Sequence, residues 1–180
     1  WEAVFGKSIA AKPVDRNDPN VLKETAWQQE YPHLTEEIFN AWHYAAYMES
    51  LAAAAKDIYP LPLYVNAWLK QVWAREPGKY PSGGPQAHLF DIWRAAAPHV
   101  DLYGPDLYAT DLFDWVMTGY DVPGNPVIMP ETRSSSDGAA RAFYAFGRYR
   151  MLCYAPFGID GGGLTLSADP DDHSYDKAYG

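Results

Sequence analysis

Four short apolar runs, beginning at Leu61, Val100, Pro126 and Ala155, alternate with stretches of helical character, and no hairpin turn joins any two of them. This alternation constrains the fold more than any other feature of the chain. Strands separated by helices pair in parallel, through right-handed crossovers. The run starts at 61, 100, 126 and 155 are spaced by 39, 26 and 29 residues. A (β/α)8 barrel of about 250 residues uses roughly 31 per unit, so the spacing fits a TIM barrel. The rival α/β architecture is a small doubly wound sheet. No GxGxxG follows any of the runs, and Gly161-Gly162-Gly163 lacks both the spacing and the succeeding apolar helix of a phosphate cradle, so it reads as a loop.

Four strands do not close a barrel. The expected fold is therefore the C-terminal half of a TIM barrel within a single incomplete domain. Residues 1–34, with Pro13, Asp15, Asn17, Asp18, Pro19 and Pro32, read as an irregular excursion with one short helical turn near Val21 to Gln29, and residues 35–180 as the half-barrel. The chain opens on Trp1 without an initiator methionine or a signal-like segment, which suggests a processed or excised piece.

The pattern sharpens at Thr35, which reads as an N-cap followed by Glu36 and Glu37 at the positive end of a helix dipole. Ile38, Trp42, Ala45 and Met48 recur at helical spacing, and the helix runs to about Ile58 before Pro60. Strands are expected at Leu61–Asn66, Val100–Tyr103, Pro126–Met129 and Ala155–Asp160. Helices are expected at Gln86–Ala97 (Leu89, Trp93 and Ala96 on one face), Asp111–Met117 and Gly138–Tyr154 (Ala142, Phe146, Tyr149 and Cys153 on one face).

Charge and composition exclude several function classes. A net charge of −9 and no useful run of Lys or Arg argue against a nucleic-acid partner. No apolar stretch is long enough to span a bilayer. Cys153 is the single cysteine, so neither an internal disulfide nor a cysteine-based zinc site is available. His33, His43, His88, His99 and His173 form no HxH or HExxH pattern, the cluster Asp169, Asp171, Asp172, His173 lacks calcium-loop spacing, and Ser134-Ser135-Ser136 is not framed as GxSxG. Aromatic residues make up 16% of the chain, with 7 Trp and 14 Tyr. Rings with an apolar face and a polar edge suit sugar platforms as well as cores, and as a group they tilt the expectation toward carbohydrate.

One carboxylate stands out. In Asn125-Pro126-Val127-Ile128-Met129-Pro130-Glu131-Thr132-Arg133, an apolar run stops at a proline and at once presents Glu131. An acid delivered from the C-terminal end of a strand is how (β/α) enzymes place catalytic groups. The alternative is a strand-end carboxylate that pairs with Arg133 or caps the next helix. Asn66 and Trp68 end the first run, where the amide suits a sugar hydroxyl and the indole a sugar ring; a packed loop anchor is the other reading. Asp106 and Tyr108 follow Gly104-Pro105: the tyrosine is placed to hydrogen-bond Glu131 and hold it ionised, and Asp106 reads equally as a cap. Arg133 either pairs with Glu131 and lowers its pKa or forms a surface ion pair of little worth.

The runs PLPLYVNAWL, VDLYGPDLYA, NPVIMPETR and GAARAFYAFGRYRMLCYAPFGID resemble the C-terminal half of the catalytic barrel of β-galactosidases, in particular the bacterial branch of glycoside hydrolase family 35, which is also similar to family 42. The likeness covers about residues 35 to 165, and the segment around Glu131 with the helix after it is its specific part. It implies that Leu61, Val100, Pro126 and Ala155 begin barrel strands five to eight and that Glu131 is the nucleophile of a retaining glycosidase acting on terminal β-galactosides, with no cofactor and no metal. It implies an oligosaccharide substrate and leans toward a periplasmic or extracellular setting. The family's acid/base lies in an Asn-Glu pair after the fourth strand, and no such dipeptide occurs here; none of Glu2, Glu24, Glu30, Glu36 and Glu37 ends an apolar run. The acid/base is expected upstream of Trp1. A non-catalytic carbohydrate-binding barrel or inactive homologue, and another β-glycoside specificity on the same scaffold, are the alternatives.

Overall fold

The structure, a computed structural model, describes residues 34–70 and 76–159. Within them the order is α1 (Thr35–Ile58), β1 (Tyr64–Ala67), a 3-10 turn (Ala87–Leu89) leading into α2 (Phe90–Ala96), β2 (Leu102–Leu107), a second 3-10 turn (Thr110–Leu112) leading into α3 (Phe113–Tyr120), β3 (Ile128–Thr132), α4 (Ser136–Tyr149) and β4 (Cys153–Pro156). The four strands form one parallel sheet in the order β1-β2-β3-β4. Each strand therefore pairs with the next in sequence, through a helix-bearing connection, and the order does not reverse among the described strands. The mixed α/β class and the parallel sheet follow from the alternation of runs. The excursion at 1–33, the glycine run at 161–163 and the acidic cluster at 169–173 lie outside the described residues.

Element types follow the sequence closely; their ends do not. The capping role expected of Thr35 is not seen: Leu34 holds the N-cap position without a side-chain bond, and Thr35 is the first helical residue. Glu36 and Glu37 still occupy the first turn, and Lys56 the last, as the helix dipole favours. β2 begins later than expected and continues past Tyr103 straight through Gly104-Pro105 to Leu107. A Cβ on Gly104 would meet Pro130 Cδ at 2.5 Å and Ile128 Cγ1 at 2.9 Å, so the glycine is what lets β2 and β3 approach. α4 starts two residues before the expected Gly138: the extended Ser135 accepts a hydrogen bond from the Gly138 N–H at 3.1 Å, a capping arrangement. α4 ends five residues before Tyr154 because Arg150 turns left-handed, with φ 50° and ψ 40°. Cys153 consequently lies exposed in β4 and not on a helix face. The buried residues of α4 are Gly138, Ala139, Ala145 and Tyr149, while Phe146 is exposed.

The core lies between the sheet and the helices. Leu89, Trp93, Tyr103, Leu107, Met117, Tyr120 and Met129 are almost fully buried and belong to one cluster. Polar groups bind it together. Buried Asn125 acts as a ladder rung just before β3: its Oδ1 accepts from the Tyr103 N–H at 2.8 Å, and its Nδ2 donates to the carbonyls of Tyr103 and Tyr120. Asp101, at the entry to β2, accepts from Lys56 Nζ at 2.6 Å and from the Leu63 N–H at 2.8 Å, tying α1 to the start of the sheet.

Glu37 is wholly buried in α1, and both of its oxygens accept from the Tyr80 hydroxyl at 3.0 Å while Oε2 meets His88 Nε2 at 3.0 Å. Burial pushes its carboxyl up, but the bonds from His88 and Tyr80 and the charges of His88 and Lys70 override this and hold it below 4.5. A carboxyl with a depressed folded pKa stabilises the protein above its unfolded value, and that stability is lost as pH falls through the folded value. Glu37→Gln is therefore expected to cost about 1–3 kcal/mol at neutral pH. In denaturant melts the gap to the wild type should close as the pH drops below 4.5; a gap independent of pH would show that the ionised carboxylate is not what matters.

The sheet edges generate a second expectation. Among the described residues β1 and β4 each pair with one neighbour, and Ile58, Leu61, Tyr64 and Leu152 are more than half exposed beside them. Unpaired strands flanked by apolar side chains invite association. The 180-residue chain on its own should therefore elute as soluble aggregate or oligomer in light-scattering chromatography. A cooperatively melting monomer would count against exposed edges.

Candidate functional site

Parallel register brings the sequence-selected residues to one end of the sheet. Asp106 in β2 and Glu131 in β3 are register partners, so their side chains leave the sheet on the same side. Asn66 in β1 pairs with Gly104, which places it diagonal to Asp106, and Asn66 Nδ2 donates to Asp106 Oδ1 at 2.7 Å. The Tyr108 hydroxyl, just past the end of β2, donates to Glu131 Oε1 at 2.6 Å. Trp68 follows β1 and its ring lies 5.9 Å from that of Tyr108, tilted by 30°. Asn66, Trp68, Asp106, Tyr108 and Glu131 thus form one connected group across the C-terminal ends of three adjacent strands.

The backbone at Glu131 is irregular. The β3–β4 register shifts between Met129 and Thr132, a bulge that contains Pro130 and Glu131. Proline has no N–H for the ladder, and bulges re-aim side chains at strand ends. Thr132 fixes the other side of the bulge, its buried hydroxyl donating to the Leu107 carbonyl at 2.7 Å. Glu131 does not cap α4, since Ser135 does so. Of the two readings of Arg133, the pair with Glu131 is not seen among the described residues: Arg133 lies beyond the strand, exposed, with no salt bridge to Glu131. Its charge is felt instead at Tyr108.

Electrostatically the group sets two neighbouring carboxyls, Asp106 and Glu131, beside one phenol donor, Tyr108. Burial, and then the hydrogen bond to Glu131, raise the Tyr108 phenol above its ordinary value, so it remains a donor at any working pH. Burial pushes the Asp106 carboxyl up as well, the Asn66 amide opposes this, and the nearby Glu131 charge adds to the rise. Asp106 Oδ2 and Glu131 Oε2 make no hydrogen bond among the described residues, so each can still accept one. No cluster of three or more metal-ligating side chains occurs among the described residues.

Two cavities flank Trp68. One, of about 380 Å³, is lined by Tyr44, Tyr47, Asn66, Trp68 and Trp93. The other, of about 250 Å³, is lined by Trp68, Asp106, Tyr108, Leu112, Trp115 and Val116. Trp115 was not distinguishable in the sequence, where its spacing marks only a helix; its 64% exposure is the signal that sets it apart from core aromatics. Comparison with protein-family models gives no match, and comparison with curated proteins gives none either.

Proposed function

We propose that this chain contributes strands five to eight of a (β/α)8 barrel and that the barrel is a retaining, β-galactosidase-like glycoside hydrolase cleaving terminal β-galactosides. The hydrogen bond from Tyr108 to Glu131 is the observation that carries the reading. A phenol held protonated fixes one carboxylate oxygen at a strand end and leaves the other free to attack. The sequential order of the four parallel strands, without a switch point, supports the barrel. The clustering of five sequence-selected residues at the C-terminal ends of the strands supports an active site there.

In this mechanism Glu131 Oε2 attacks the anomeric carbon as the glycosidic bond breaks, forming a covalent glycosyl-enzyme. A carboxylic acid elsewhere in the barrel protonates the leaving oxygen, then takes a proton from water, whose oxygen displaces Glu131. Tyr108 holds the attacking group in line, and Asn66 and Asp106 supply donor and acceptor atoms for sugar hydroxyls. Trp68 offers a ring face, and Arg133 a donor at the rim.

Turnover of an aryl β-galactoside by the complete barrel tests this. Glu131→Gln should leave the melting temperature nearly unchanged and lower kcat by several orders of magnitude. Glu131→Gly with added azide should recover part of the activity and yield a galactosyl azide of inverted configuration. Equal losses of activity and folded protein would mark Glu131 as structural. Tyr108→Phe keeps the ring against Trp68 and removes only the donor; it should lower kcat by about a hundredfold while changing stability by no more than about 1 kcal/mol.

A further inference from the structure

The first and last helices of the described unit each carry an apolar flank that stays exposed. On α1, Tyr44, Tyr47, Leu51 and Ile58 recur at spacings of three, four and seven residues, which sets them on one side of the helix, and all four are exposed. This side turns away from α2: Glu49 and Lys56, on the opposite side, bond His99 and Asp101 in the connection between α2 and β2. It lies instead along the free edge of β1, where Tyr44 and Tyr47 share a cavity with Val65 and Asn66. On α4, the Tyr144 hydroxyl donates to Asp114 of α3 and the Arg141 guanidinium lies over Phe113, so that flank faces α3. Phe143, 81% exposed, and Phe146 occupy the other flank, which leads past β4, the last strand in the sheet order.

Two exposed flanks and two open edges are thus matched in kind but differ in identity. A (β/α)8 barrel holds eight strands and eight helices; the described residues hold four strands and four α-helices, half of each. A two-fold axis along the strands sets β4 of each copy beside β1 of the other. It keeps all eight strands parallel and leaves no edge open, a head-to-tail contact whose rotation closes at two. An axis across the strands would pair β1 with β1 or β4 with β4, antiparallel, and leave two edges bare. Closure also stacks the helix flanks. Ile58 and Tyr149 end their helices six and four residues before β1 and β4 begin, so α1 and α4 meet the same end of the sheet. The Phe143 flank of one copy then lies level with the Leu51 flank of the other, and both leave water.

We propose that two copies of this chain close one eight-stranded barrel, each taking the place that an N-terminal half fills in a complete one. The inference rests on the barrel part of the proposed function and not on the glycosidase chemistry. Glu131, Tyr108 and Asp106 of both copies open at the same mouth.

Light-scattering chromatography of the 180-residue chain is expected to give twice its 20.2 kDa, without larger species as concentration rises. Leu51→Lys and Phe143→Glu should each abolish the dimer. An equal mixture of these two variants should regain it, because one contact then pairs opposite charges and the other is unaltered. Leu51→Cys and Phe143→Cys, each in a Cys153→Ser background, report without charges in the interface: a short bismaleimide should link the mixed chains and neither variant alone. A wild-type monomer, a dimer that survives both charged substitutions, or cysteine variants that link alone or fail to link when mixed would overturn the second copy. None of these touches the Glu131 tests on the complete barrel. A ladder of trimers and larger species would show edges that pair without closing at eight strands, and would overturn the barrel reading as well.

Discussion

The approach of β2 to β3 at Gly104 is the constraint on which the site depends. With any side chain at position 104, a Cβ would lie 2.5 Å from the Pro130 ring, and the strands would have to part or slide. A slip of one residue in a parallel pair sends every following side chain to the opposite face. Asp106 would then no longer stand beside Glu131, and Tyr108 would lose its reach to the Glu131 carboxylate. Asn125 fixes the same pair of strands from below, and Thr132 with Leu107 fixes it from above. Between these two polar clamps, the register at Asp106 and Glu131 has little freedom.

Glu37, Asp106 and Glu131 are acids of two chemical kinds. Glu37 is buried with both oxygens bonded, and its donors keep it ionised; its work is to hold α1 against the segment that carries Tyr80 and His88. Asp106 and Glu131 are partly exposed, each with one oxygen bonded and the other without a hydrogen bond among the described residues. A carboxylate whose acceptors are all filled contributes stability, whereas one held by a single donor is fixed in place but still reactive. The difference lies in hydrogen bonding and not in residue type, which is why the sequence cannot distinguish Glu37 from Glu131 by composition alone.

Periodicity exposed the helices and the apolar strands because burial selects side chains at 3.6- or 2-residue spacing, and that selection is written locally. The element ends were less legible. The left-handed turn at Arg150 and the continuation of β2 through Gly104-Pro105 depend on what each segment packs against, and tertiary contacts override local turn signals. For the same reason Asn125 gave no sign of its part as a rung: its partners, Tyr103 and Tyr120, are brought to it only by the fold.

By itself, the sequence determined the α/β class, the parallel pairing and the position of Glu131 at a strand end, since all three follow from the order of apolar runs and the turn residues around them. The sequence offered both Tyr108 and Arg133 as partners of Glu131, and the tertiary structure decided for Tyr108; it alone decided that Asn66 holds Asp106 and that Trp115 lines a cavity beside them. The two hydrogen bonds join residues 23 and 40 positions apart (108 to 131, 66 to 106), and the cavity brings together Trp68 and Trp115, 47 apart. Local propensity carries no information over such separations; the register of neighbouring strands does.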